Sequence, residues 1–150
     1  MNIRYMISDD YNGVYDLWSR IEGFAIRSID DSREGVERFL ARNPEISVVA
    51  LNDNDKVIGV ILAGHDGRRG CLYHVCVDKE YRNQGIGTKM THAVINALIR
   101  EKINHVSLIA FSDNAGGNAF WKKIGWSRRN DLNYYDMILN DNNVIHFNDK

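Results

Sequence analysis

The chain has 150 residues, 44% of them apolar, and 19 basic against 20 acidic side chains give a formal net charge of −1. This is material for one ordinary domain with its own core, and the charge balance supplies no global field to draw the protein onto nucleic acid or an anionic membrane. The N-terminus turns polar too early for a signal peptide and no run reaches about 18 apolar residues, so neither a leader nor a membrane span is read here and a cytoplasmic protein is expected. Cys71 and Cys76 lie within one strand-like stretch where a disulfide would be awkward, and read as reduced thiols.

Ile3 to Met6 predicts a short strand, and Ser8-Asp9-Asp10 supplies cap residues for a helix on which Val14, Leu17, Trp18 and Ile21 share one face. A second helix is predicted from about Ser32, with Val36, Phe39 and Leu40 on one stripe, stopping before Asn43-Pro44. "ISVVAL" (46–51), "KVIGVILAG" (56–64) and "CLYHVCV" (71–77), separated by "NDND" and "GHDGRRG", predict three consecutive antiparallel strands. The His, Asp and Arg of the second turn suggest a metal or substrate cluster less than an Asp-Gly turn, whose residues serve backbone geometry.

Ile86, Met90, Ala93, Val94 and Ala97 then stripe a long helix reaching about Lys102. "HVSLIAF" (105–111) follows as a strand, expected parallel to 71–77 because a helix separates the two. A short helix carries Phe120 and Trp121 and ends at Gly125; "NYYDMIL" (133–139) is expected to close the sheet. Residues 1–140 are read as one domain and 141–150 as a loosely held tail, in a mixed, mainly antiparallel α+β architecture with helices on both faces.

The chemistry concentrates in "YRNQGIGTKM", between the strand ending at Val77 and the long helix. The first N–H groups of a helix lack partners and its dipole is positive there, so glycines at 85 and 87 would let the backbone approach a phosphate, with Arg82 as a nearby cation and the Thr88 hydroxyl in the first turn. A dinucleotide fingerprint fails because Met90 stands where its third glycine belongs, and an ATPase phosphate loop fails on spacing. Alone, Gly-Ile-Gly could equally be a packing device in a strand-to-helix turn.

Two blocks carry a resemblance. "VDKEYRNQGIG" resembles the Gln/Arg-x-x-Gly-x-Gly/Ala acetyl-CoA pyrophosphate motif of the GNAT superfamily of N-acetyltransferases, through Arg82, Gly85 and Gly87 after a strand ending in Val77; "LIAFSDNAGGNAFWKKIGW" resembles its next block. The similarity spans roughly residues 3 to 139 and extends to small bacterial enzymes similar to ribosomal-protein N-terminal acetylases. It implies a three-layer α/β/α fold of about six to seven strands whose central parallel pair splays to admit acetyl-CoA. The pantetheine arm would meet the backbone of Val75, Cys76 and Val77. The pyrophosphate would rest on the N–H groups of Asn83, Gln84, Gly85, Ile86, Gly87 and Thr88, with Asn114, Gly117, Phe120 and Trp121 lining the cofactor. The implied reaction is direct attack by a neutral amine, a small molecule or a peptide N-terminus, with no covalent intermediate and no metal; a homodimer is left open.

Two departures from the family pattern bear on catalysis. Trp121 stands where relatives usually carry a Tyr acid, so either the thiolate leaves without a dedicated acid or Tyr134 or Tyr135 takes the role, and Cys71 or Tyr73 stands where they often carry a Glu or His base. The base candidates in the bulge strand are therefore Tyr73 and His74, although plain alternation turns His74 away from Tyr73; Glu22 is a candidate at the acceptor. The same departures motivate a second reading, a non-catalytic acyl-CoA-binding or sensing domain. Gly116 and Gly117 are read as letting the helix backbone approach the cofactor.

Overall fold

The computed structural model describes residues 1–150. Strand β1 (Asn2–Tyr5) runs through a 3₁₀ turn at Ser8–Asp10 into helix α1 (Tyr11–Arg20). Asp10 makes no side-chain cap on α1. Its carboxylate accepts the Ile7 N–H at 2.9 Å and two bonds of 2.8 Å from Arg4, which ties the turn back to the first strand. Helix α2 (Arg33–Arg42) begins as its sequence predicts, with Ser32 Oγ accepting the Gly35 N–H at 3.1 Å, and ends at Asn43 ahead of Pro44.

Strands β3 (Val48–Leu51), β4 (Val57–His65) and β5 (Gly70–Val77) form the expected antiparallel meander, and β6 (Val106–Leu108) joins β5 in parallel. The sheet order is β1-β3-β4-β5-β6. Helix α3 (Ile86–Arg100), the crossover between β5 and β6, covers one face with Met90, Val94 and Leu98 against Ile58, Ile61 and Leu72. On the other face Val14, Leu17, Trp18 and Val36 of α1 and α2 meet Val49, Val60, Leu62 and Cys76. Being covered on both faces, β4 is an unbroken apolar run, the pattern of a central strand.

Three features differ from the sequence reading. Residues 133–139 stay outside the sheet, which has five strands instead of six or seven. The strand expected over 105–111 pairs only at Val106–Leu108. Finally, the C-terminal residues are not a loose tail: β7 (Ile145–Phe147) pairs antiparallel with β2 (Ala25–Arg27), a three-residue strand too short to show a period. Asn148 completes this attachment, its Nδ2 donating to the carbonyls of Trp18 at 2.8 Å and Ile21 at 2.9 Å, which otherwise accept only the longer 3.3 Å bonds of the Ile21 and Phe24 N–H groups.

Asn148→Ala removes both bonds and leaves those carbonyls only the 3.3 Å bonds from the Ile21 and Phe24 N–H groups. It is expected to lower stability by about 1–2 kcal/mol in urea unfolding, as befits an anchored strand; an unchanged midpoint would make β7 peripheral.

Candidate active site

The register of β5 on β4 slips where Val60 opposes Cys76 but Leu62 opposes Tyr73, so that His74 and Val75 together face the single residue Ile61. His74 takes φ of 50°, the left-handed region that non-glycine residues seldom occupy. This β-bulge breaks the alternation of β5 and puts Tyr73 and His74 on the same side of the sheet. The expectation that His74 faces away from Tyr73 is thereby corrected: Tyr73 lies edge-on to Phe39 with centroids 5.8 Å apart, and His74 packs against Trp18 at 4.9 Å and Phe24 at 4.7 Å, all on the α1 and α2 side. Past Leu72, where the bulge begins, no strand pairs with β5 on its β6 side. The two parallel strands are thus joined at one end and open at the other.

His74 is held by Asp31, whose Oδ1 lies 2.9 Å from Nε2. Asp31 is buried, and its other oxygen accepts the Arg27 N–H at 2.7 Å. A carboxylate fixed this way can only accept, so the neutral ring carries its proton on Nε2 and presents the Nδ1 lone pair. That nitrogen has no protein partner and is not buried. Tyr73 differs in kind: burial first, then the neighbouring Cys71 thiol, push its phenol up to about 12, so it keeps its proton at neutral pH and can donate but not act as a base. Burial likewise pushes the Cys76 thiol up to about 12 and the Cys71 thiol upward, which makes both poor nucleophiles.

Beyond Val77 the chain turns into α3 with Asn83 at φ of 63° and Gly85 at 79°, the latter being the residue before the first helical position. From residue 83 to 88 no backbone N–H finds an acceptor, and the first such bond is Lys89 N–H to the Gly85 carbonyl at 3.0 Å. Six consecutive donors at a helix N-terminus form an anion cradle. Arg82 Nε donates to the Val77 carbonyl at 3.0 Å, which folds the guanidinium over the strand end. Gly87 has a packing reason as well, since a Cβ there would lie 3.2 Å from the Phe120 ring.

Asp78 anchors the start of this turn. It accepts the Glu80 N–H at 3.0 Å, is bonded through its own N–H to the Ile58 carbonyl at 2.8 Å, and is ion-paired with Arg20 at the end of α1. Burial pushes its carboxyl upward, but the Arg20 guanidinium and the Glu80 N–H outweigh that and hold it below the usual range.

Other candidates fall elsewhere. Asn114 caps α4 (Ala115–Lys123) by accepting the Gly117 N–H at 3.0 Å, and a Cβ on Gly117 would come within 2.5 Å of that capping side chain, so Gly117 has a local reason to be glycine. Trp121 packs with Phe120 and Trp126, at 4.9 Å from each. Tyr135 is exposed and not brought to His74. Glu22 pairs with Lys79 at 3.8 Å and lines an open cleft of about 440 Å³ with Lys56, Lys79 and Arg82, placing it beside the α3 turn. Asp31 and the Arg20–Asp78 pair are new: Asp31 sits in "SIDDSREG", where it reads as turn polarity, and only the fold brings it to His74.

The sequence pattern of the acetyltransferase (GNAT) family matches residues 11–126. An acetyltransferase of Pectobacterium atrosepticum is 28% identical over 124 residues, covering 83% of this chain and 86% of that one. The fold is shared with a ribosomal-protein-alanine N-acetyltransferase from Brucella melitensis biovar Abortus (TM-score 0.66, 14% identity, 92% of this chain and all of that one). It is shared as well with the PaiA N-acetyltransferase of Thermoplasma acidophilum in complex with coenzyme A (TM-score 0.68, 14% identity, 81% and 86% covered).

Arg20→Ala leaves the buried Asp78 carboxylate without its cation and, the Arg20 side chain being partly exposed, should destabilise by about 1–2 kcal/mol at pH 7. In the parent the lowered Asp78 pKa contributes stability above the unfolded value near 3.9 that is lost as pH falls through the folded one; the variant is therefore expected to approach the parent in urea midpoint as pH drops below about 4. A constant difference from pH 7 to 3 would contradict this assignment.

Proposed function

The chain belongs to the acetyltransferase (GNAT) family, and from that membership we propose that it is an N-acetyltransferase, moving acetyl from acetyl-CoA to a primary amine in a ternary complex. The observation that carries the reading is the opening of β5 from β6 beyond the bulge, directly continuous with the unpaired N–H groups of residues 83–88. These fit the donor: the open edge at Val75, Cys76 and Val77 suits an amide-bearing arm, and the cradle with Arg82 suits a pyrophosphate. When bound, acetyl-CoA supplies the acetyl group as an activated thioester.

In this reading His74 Nδ1 takes the proton of the acceptor ammonium, directly or through one water, while Asp31 holds the ring in the required tautomer and steadies the imidazolium that results. Asp31 is a positioning residue. Tyr73, which retains its proton, serves as hydrogen-bond donor on the same side, and backbone N–H groups near Val75 hold the oxyanion. Support against a covalent acyl-cysteine is the raised pKa of both thiols. Acceptors of either class, a small amine or a protein N-terminus, suit an exposed face walled by Phe39 and Tyr73.

The test is thiol release from acetyl-CoA over a panel of small amines and peptides, with His74→Gln alongside. An acceptor should stimulate release, and the variant should lose about 10²-fold in kcat while acetyl-CoA binding is kept. Full activity of His74→Gln would remove the base assignment, and a panel without any stimulation would remove the enzyme.

A further inference from the structure

Between residues 127 and 147 the one residue that is not exposed is polar, Asn143. Its carboxamide is engaged on both sides: Oδ1 accepts the N–H groups of Ile29 and Asp30, each at 3.0 Å, and Nδ2 donates to the Asp30 carboxylate at 2.9 Å. Reversing the amide would set a donor against two donors and an acceptor against a carboxylate, so only this orientation satisfies all three partners.

Those partners lie on the loop that carries Asp31. Two reciprocal bonds close the loop at its base: the Asp31 N–H donates to the Arg27 carbonyl at 3.0 Å, and the Arg27 N–H donates to Asp31 Oδ2 at 2.7 Å. The crown depends on the far end of the chain. The N–H groups of Ser28, Ile29 and Asp30 all go to residues 143 and 144, that of Ser28 to the Val144 carbonyl at 2.9 Å, and Ser28 Oγ accepts the Val144 N–H at 2.9 Å in return. On the opposite side the Tyr11 hydroxyl donates to the Asp31 carbonyl at 2.7 Å. Asp31 is thus held between helix α1 and the C-terminal segment, and the oxygen it has left is the one that meets His74.

A hydrogen bond weakens steeply once its angle closes below about 120°. Asp31 reaches His74 from a loop, and loop backbone that bonds only to water is mobile, so the angle at His74 is as fixed as the crown is. A proton acceptor keeps its productive geometry only when the residues behind it are locked in turn. Asn143 is that lock: it is the side chain that fixes the two peptide units just before Asp31.

We infer that Asn143 is a positioning residue of the candidate site, holding Asp31 in the geometry that meets His74 Nε2. The role in catalysis rests on the reading of His74 as the base, whereas the Asp31–His74 bond itself can be followed without any acceptor. The C-terminal residues then belong to the active site as its outer support.

The test follows exchange with water of the His74 Nε2–H proton by NMR of the isotopically labelled full chain at pH 7, the signal being assigned by its loss in His74→Gln. In the parent the proton is expected to be protected. Asn143→Ala should speed its exchange at least about tenfold, and Asn148→Ala, which loosens β7 without touching the loop, should leave it within about twofold, because such a proton exchanges through local opening. Asn143→Asp keeps an oxygen for the two N–H groups but sets a carboxylate against Asp30, and should exchange faster; adding Asp30→Asn restores a donor–acceptor pair and should return the rate to within about threefold of the parent. An unprotected parent proton, a folded Asn143→Ala with the parent rate, or equal acceleration in Asn148→Ala would each overturn the assignment. Should Asn143→Ala not fold, Asn143→Asp with the parent rate, or no recovery on adding Asp30→Asn, overturns it instead. Failure of the base reading shows separately, as full activity of His74→Gln, and overturns the role in catalysis.

Discussion

The constraint on which the site rests is the one-residue mismatch between β4 and β5. β4 cannot yield there, because Val60, Ile61, Leu62 and Ala63 alternate between two helical layers and a slip would exchange those faces; its own irregularity lies earlier, opposite Ala50 and Leu51. The extra residue therefore falls on β5, and His74 absorbs it in a left-handed conformation that costs roughly 1–2 kcal/mol for a residue with a Cβ. A hydrogen bond to the buried Asp31 carboxylate is worth about 1.5–3 kcal/mol, and packing against Trp18 and Phe24 adds to it. The strain is offset locally, so the bulge is a stable feature that also orients a titratable ring.

From this mismatch two consequences run in opposite directions along β5. Toward the acceptor side, Tyr73 and His74 come to share a face, where the phenol is a hydrogen-bond donor and the imidazole presents a free nitrogen. Toward β6, the ladder stops at Leu72 and the rest of the strand edge is left for a ligand. The same strand then delivers the chain to the α3 turn, where Asp78, gripped by Arg20, fixes the entry and six N–H groups are left without acceptors. Both proposed ligand sites are thus set by a single strand whose position is determined by its neighbours' packing.

Much of this was legible in the sequence, for physical reasons that can be named. The β4 run, the α1 and α3 stripes and Ser32 as a cap are local patterns, and Arg82, Gly85 and Gly87 mark a turn whose donors have nowhere else to go. Asp31 was not legible, because its partner is 43 residues away and only the bulge turns His74 toward it. Nor was the C-terminal pairing of β2 with β7, since three-residue strands carry no period and their stability comes from the Asn148 and Asn143 side chains. "NYYDMIL" reads as a strand and is apolar like one, yet its residues stay outside the sheet and make no main-chain hydrogen bond.

The proposed function requires that the opened strand and the α3 turn form one continuous donor site. Its most direct test is titration of the isotopically labelled protein with acetyl-CoA while following backbone amide resonances. The expected result is that the amides of residues 83–88 and those of Val75, Cys76 and Val77 shift together, with a single dissociation constant. Shifts confined to the Glu22 and Lys79 cleft, or a turn that responds while the strand does not, would contradict it.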